Sequence, residues 1–413
     1  MLYAMAIEVR VHHLIGVGGL VCFLLLAWLP SSDRRAAGRR LPRIAVLLIV
    51  QFALGFLLLR TGIGGTVIRA ISDTFDHILG YAAQGTAFVF GELPTVGSSG
   101  PAFLFAVLMP IVLVSALIGI LQHVRVLPLI IKYLGLLLSW VSGFGKVESF
   151  NAVAAVILGQ SEVFISLRAM LDDIPPQRMY TLAASAMSTV SAAILGAYMQ
   201  LIDPEFVIAA ILLNMLGAFV ICALINPYPV TAADDAELLR EEVAESRKRQ
   251  SFFEMLTDYI LVGFKVAFTV AALLIGFIAL LAMVNGIFAA VFNGTTFQDV
   301  MGHVFAPCAW LTGIPWDEAA AAGRFMGTKL VSNEVVAMQE LNSDRAGLSE
   351  RTIAIVSTYL VSFANFATIA IVTGAVRSLS VRQGAVIARN GLRLLYGATL
   401  VSFLSATIVG LLT

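Results

Sequence analysis

A recurring run of apolar residues, each run about as long as a bilayer crossing and almost free of charge, constrains this chain more than any other feature. The runs fall near 11–30, 42–60, 101–122, 178–202, 204–226, 260–290, 351–376 and 391–412. A spanning helix needs about 20 apolar residues, so about eight crossings are expected. Hydrocarbon leaves every backbone group to be satisfied within the protein, which makes the spans helices. The expected fold class is therefore an all-α polytopic membrane protein. Composition agrees: 59% of the 413 residues are hydrophobic and 13% charged, where a soluble domain carries about a quarter charged residues.

Charge and side-chain chemistry exclude several functions. Lys and Arg number 26, as do Asp and Glu, so no basic excess exists to neutralise a nucleic-acid backbone. Cys22, Cys222 and Cys308 lie far apart, and His12, His13, His77, His123 and His303 are scattered with no HExxH or other metal-type cluster, so neither a disulfide framework nor a metal site is expected. No cofactor is expected either.

The run at 11–30 competes between a span and a cleaved signal peptide. Glu8 in the leading region and Leu26-Ala27-Trp28-Leu29-Pro30, which offers no small-x-small cleavage site, favour a span. Counting from a periplasmic N-terminus places Arg34–Arg43, Arg168 with Arg178, Arg240–Arg249, and Arg377 with Arg382 and Arg389 inside. It places Asp73, Asp76, Glu92, Asp203, Glu205, Asp299 and Asp317 outside, with Thr413 on that same side. Such an arrangement obeys the positive-inside rule.

Two further stretches, 147–170 and 318–340, are long enough to enter the bilayer but carry Gly, amide and carboxylate groups at their middles. Interrupted polar segments survive at that depth only when buried in protein or lining a cavity, so both are expected as re-entrant hairpins. Residues 66–92 and 124–140 read as interfacial helices, with Phe252–Tyr259 a shorter one, and 227–250 as a solvated charged loop.

An amide accompanies a glutamate in both hairpins: Gly159-Gln160-Ser161-Glu162 and Ser332-Asn333-Glu334. Each hairpin precedes a span with a polar patch, Ser188-Thr189-Val190-Ser191 and Phe363-Ala364-Asn365-Phe366-Ala367-Thr368. Spans four, five and six separate the two units, an odd number, which gives an inverted repeat of the kind secondary transporters use. A carboxylate at bilayer depth costs roughly 2.5–3.5 kcal/mol. Glu162 and Glu334 either bind a hydroxyl-rich neutral solute, aided by Gln160 and Asn333, or pair with Lys329 and Arg168 to lock the hairpins.

These motifs, with Ser332-Asn333-Glu334-Val335-Val336-Ala337, Ser362-Phe363-Ala364-Asn365-Phe366, Asn226-Pro227-Tyr228, Ser251-Phe252-Phe253-Glu254-Met255-Leu256 and the closing Leu395-Tyr396-Gly397-Ala398-Thr399-Leu400-Val401-Ser402, resemble the bacterial branch of the concentrative nucleoside transporter family. The resemblance runs from about residue 10 to the end. It implies a homotrimer in the bacterial inner membrane, with a rigid scaffold and a transport domain that moves as an elevator. The scaffold would comprise spans 1 and 2 (1–64), span 3 with an interfacial helix (101–146), and the cytoplasmic loop with span 6 (227–293). The transport domain would take the interfacial helix at 65–100, the first hairpin with spans 4 and 5 (147–226), and the second hairpin with spans 7 and 8 (294–413).

By motif position, the resemblance implies that Gln160, Ser161 and Glu162 meet the nucleobase side of a nucleoside and that Glu334, Asn365 and Thr368 bind the ribose. Phe363 and Ile194 would pack around it. Candidates for cation coupling are Glu162, Glu334, Ala155, Leu158, Thr189 and Val190. Sodium-coupled relatives place an asparagine seven residues before the hairpin glutamate, where this chain has Ala155. A methyl group supplies no oxygen to a hard cation, which points to the proton, with sodium the alternative. An intramembrane hydrolase would need a histidine or a GxSxG setting near Ser161, Ser188 or Ser332, and the sequence has neither. An anion carrier would need Arg or Lys in motifs that are acidic here.

Overall fold

The computed structural model describes residues 2–91, 103–230, 235 and 251–413; Glu92 and Arg240–Arg249, which the charge argument uses, lie outside them. Every regular element among these residues is helical. The long α1 (Leu2–Trp28) ends at a loop where the Asp33 carboxylate accepts from the N–H groups of Arg35 and Ala36 and so caps the short α2 (Arg34–Arg39). There follow α3 (Leu41–Arg60), with proline in its first turn, and α4 (Gly62–Phe90), capped by Thr61. A π-helical turn at Leu104–Leu108 leads into α5 (Pro110–His123), and α6 (Val126–Ser142) lies before the first hairpin.

That hairpin is α7 (Lys146–Leu158), a break at 159–162 and the one-turn α8 (Val163–Ser166). The span behind it is also broken, into α9 (Pro176–Met187) and α10 (Ala192–Met199). After α11 (Pro204–Ile225) come α12 (Phe252–Val291) and α13 (Phe297–Leu311). The second unit then repeats the pattern: α14 (Trp316–Val331), a break at 332–333, α15 (Glu334–Asp344), then α16 (Glu350–Leu360), a break at 361–365, and α17 (Phe366–Leu379). The last helix is α18 (Val381–Leu412).

Among the described residues, seven helical segments are long and apolar enough to cross a membrane. The expected crossing at 351–376 is not among them; the break at 361–365 divides it between α16 and α17. The expected interfacial helix at Phe252–Tyr259 does not stand apart. It is the first part of α12, whose Ser251–Glu254 capping box starts a helix of 40 residues. At about 1.5 Å per residue that helix is roughly 60 Å long, twice the hydrocarbon thickness, so it leaves the bilayer at one end or tilts.

The hairpins enter from opposite ends. At the base of the first, Arg40 Nη1 donates to the Gly143 carbonyl at 2.9 Å, and the Lys146 N–H donates to Asp235 at 2.6 Å. At the base of the second, Arg351 Nε donates to the Gly313 carbonyl at 2.8 Å, close to the two ends of the chain. Arg60 reaches the Thr413 carbonyl there at 2.7 Å. A Cβ on Gly19 would lie 1.8 Å from the Leu311 carbonyl oxygen, so only glycine lets α1 pass this base. Near the other end of α1, Tyr396 of α18 donates to the Leu26 carbonyl at 2.8 Å. Helices α1 and α18 are therefore antiparallel, with both chain ends at one end of the bundle.

The core runs through α11 and the second half of α18, where Phe219, Leu404 and Ala406 are fully buried. Arg178 belongs to this interior and not to a solvated basic loop. It is 4% exposed and holds Glu148 with two bonds of 2.6 Å, while its Nη2 reaches Asp235 at 2.5 Å. A charge this deep survives only when paired, and the pairing ties the first hairpin to α9.

Candidate functional site

The two broken spans cross, and the N–H of Phe363 donates to the carbonyl of Thr189 at 3.2 Å. Unwound backbone at this depth has lost its helical partners, so side chains take their place. Asn214 of α11 donates to the Val361 carbonyl at 2.6 Å. Asn365 sits in extended conformation at the start of α17, and its Oδ1 accepts from the N–H of Thr368 at 2.9 Å and from Thr368 Oγ1 at 3.1 Å.

The other end of the Asn365 amide reaches the tip of the second hairpin, where Nδ2 donates to Glu334 Oε2 at 3.0 Å. Tyr198 of α10 donates its phenol to Glu334 Oε1 at 2.7 Å. Glu334 is the first residue of α15 and is 5% exposed, so the positive end of the helix dipole offsets part of its charge. A carboxylate offers about four lone-pair sites, and two remain for a ligand hydroxyl.

Lys329 does not pair with Glu334. It is fully buried and donates to the Tyr359 carbonyl, to Ser362 Oγ at 2.7 Å and to Ser402 Oγ at 3.2 Å. Neither Glu162 nor Glu334 forms an ion pair among the described residues. The locking alternative therefore fails for both glutamates. Asn333, read with Gln160 as a ligand amide, instead caps α15 through a 3.0 Å bond from the Val336 N–H to its Oδ1.

In the first hairpin Gln160, Ser161 and Glu162 occupy the break. Gly159 makes the turn at φ 109°, where a Cβ would lie 2.9 Å from Glu162 Oε2 and 3.2 Å from Ser191 Cβ. The side-chain oxygen Oε1 of Gln160 is enclosed and without a hydrogen-bond partner. Of the cation-coupling candidates, Ala155 and Val190 are fully buried, and Leu158 ends α7. Thr189 is 1% exposed, and its Oγ1 has no hydrogen-bond partner. The Ala155 carbonyl already accepts from the Gly159 N–H at 3.0 Å. Ile194 and Phe363 are buried beside the crossing.

Sequence reasoning missed Tyr198 and the true partners of Lys329. Neither lies in a motif with its partner: Tyr198 is 136 residues from Glu334, and Lys329 is 73 from Ser402. Among the described residues no cluster of His, Cys, Asp and Glu could hold a metal ion.

Comparison with known proteins fits this geometry. Family models described as Na+ dependent nucleoside transporter C-terminus and N-terminus match residues 206–410 and 18–93, and one described as nucleoside recognition matches 104–205. The purine nucleoside transport protein NupG of Bacillus subtilis is 32% identical over 401 residues, covering 97% of this chain and 99% of that one. The putative nucleoside permease NupX of Escherichia coli is 30% identical, covering 95% and 97%. The transporter CNTnw in an inward-facing substrate-bound state superposes with a TM-score of 0.89 at 30% identity, over 98% of this chain and 100% of that one. A CNTnw variant in an outward-facing state gives 0.91. This chain belongs to the concentrative nucleoside transporter family.

Proposed function

We propose that this protein imports nucleosides across the bacterial inner membrane by cation symport. The observation that carries the reading is Glu334: a buried carboxylate with no cation paired to it, oriented by Tyr198 and Asn365, facing the crossing of two unwound spans. Two vicinal hydroxyls of a ribose match its free lone pairs, and the hydroxyl of Thr368 lies alongside. Gln160, Ser161 and Glu162 would then read the base, with Phe363 and Ile194 against its faces. The transport domain of this reading carries both hairpins past α1, α3, α5, α6 and α12 in an elevator motion within a homotrimer, with both termini periplasmic.

The proton is the proposed coupling ion, because Ala155 brings no side-chain oxygen and its carbonyl is already bonded. The enclosed, unpartnered hydroxyl of Thr189 favours a second reading, in which sodium binds between it, Leu158 and Val190. Uptake of uridine, adenosine and guanosine in a nucleoside-uptake-deficient bacterial strain tests the function. Accumulation of at least one above the empty-vector level is expected; no accumulation of any refutes the reading.

A further inference from the structure

The two repeats differ at one equivalent position. In each broken span a hydroxyl residue stands two places beyond the end of the first half-helix: Thr189 after Met187 of α9, and Ser362 after Leu360 of α16. Both are buried, at 1% and 0% exposure. The Thr189 hydroxyl has no partner, whereas Ser362 Oγ accepts from Lys329 Nζ at 2.7 Å.

Three oxygens surround Nζ: the Tyr359 carbonyl, which can only accept, and the hydroxyls of Ser362 and Ser402. The two hydroxyls touch at 2.8 Å, and Ser402 Oγ reaches the Ala398 carbonyl at 3.2 Å. Three acceptors suit the three donors of an ammonium. The face of the Tyr359 ring lies 4.4 Å from Nζ and adds a cation–π contact. One carbonyl and two hydroxyl oxygens form the donor set that a bare monovalent cation would take.

We propose that Lys329 is a tethered cation. In the second repeat its ammonium fills the oxygen niche whose counterpart in the first repeat, at Thr189, is left open. The second unit thus carries its positive charge covalently, cross-linking α14 to the break after α16 and to α18. At this position only the first unit is left with an unpartnered hydroxyl that a bare cation could use. The niche stands on geometry alone; its consequence for ion exchange rests on the transport reading above.

Lys329→Ala removes the ammonium and three methylenes, leaving room for n-propylammonium. The full-length purified variant should melt below the wild type and be restored by n-propylammonium chloride more than by equimolar sodium chloride, with the wild type indifferent to the amine. A variant whose melting responds to the amine no more than the wild type does would overturn the proposal. Should Lys329→Ala yield no folded protein, Lys329→Gln decides. This neutral near-isostere should melt below the wild type, because a charge-assisted bond is replaced by a weaker neutral one. Melting equal to the wild type would show the charge to be dispensable. A wild type that binds no nucleoside sinks the transport reading alone, because the melting readout needs no substrate.

Discussion

Glu334 holds two donors with a carboxylate that could accept about four, and this unused capacity is what a ribose would take up. Glu334→Gln should therefore damage uptake more than Ser161→Ala. Two charge-assisted bonds are lost at about 1.5–3 kcal/mol each, against roughly 0.5–1.5 kcal/mol for one neutral hydroxyl contact. A 2′,3′-dideoxynucleoside should compete poorly with uridine for the wild type; equal competition would remove Glu334 and Asn365 from the ribose role. Glu334 and Asn365 were legible in the sequence because a carboxylate and an amide at bilayer depth need a reason. Asn333 carried the same signal with a different cause. An asparagine before a helix is both a good ligand and a good cap, and only the 3.0 Å bond from Val336 separates the two.

At the scale of elements, the hairpins and broken spans could be read from polar residues interrupting apolar runs. Helix α13 could not, because neither its length nor its apolarity marks a span. Its local signal is the Thr296–Asp299 capping box, in which each side chain accepts the other's backbone N–H. The Thr296 hydroxyl, followed by its N–H, holds the Asp299 carboxyl below the usual carboxylate range. A depressed folded-state pKa gives stability that is present above the unfolded value, about 3.9, and is lost as pH falls through the folded value. Amide exchange in the first turn of α13 should thus gain extra acceleration on acidification below that range, beyond the intrinsic pH effect. Thr296→Val should shrink this extra term, and an unchanged profile would rule the cap out. The buried ion pairs of Arg178 are a second element-scale device. From sequence alone Arg178 reads as a loop charge, because its partners Glu148 and Asp235 lie 30 and 57 residues away. Arg178→Ala leaves Glu148 buried and uncompensated, and should cost about 3–5 kcal/mol of stability, read as a lowered melting temperature.

For the whole molecule, both chain ends lie at the end of the bundle opposite Arg40 and the first hairpin's base. A reporter active only in the cytoplasm, fused after Thr413, should therefore be silent; activity would invert the topology. Ion coupling also belongs to this scale, because it needs the first hairpin, the broken span behind it and the membrane gradient together. Sodium would have to exchange its water for several protein oxygens. Ala155 offers a methyl group and an already bonded carbonyl, and Thr189 offers one hydroxyl. A proton needs no such cage, only a buried carboxylate able to take it. Uptake into energised cells should persist in sodium-free medium, fall with a protonophore and rise as the external pH is lowered. Transport that vanishes without sodium and ignores an imposed pH gradient would refute proton coupling and favour the Thr189 site. Ala155→Asn supplies the side-chain oxygen missing from the first hairpin and should move uptake towards sodium stimulation. If it does not, although the variant still transports, the single oxygen at this position is not what decides the ion.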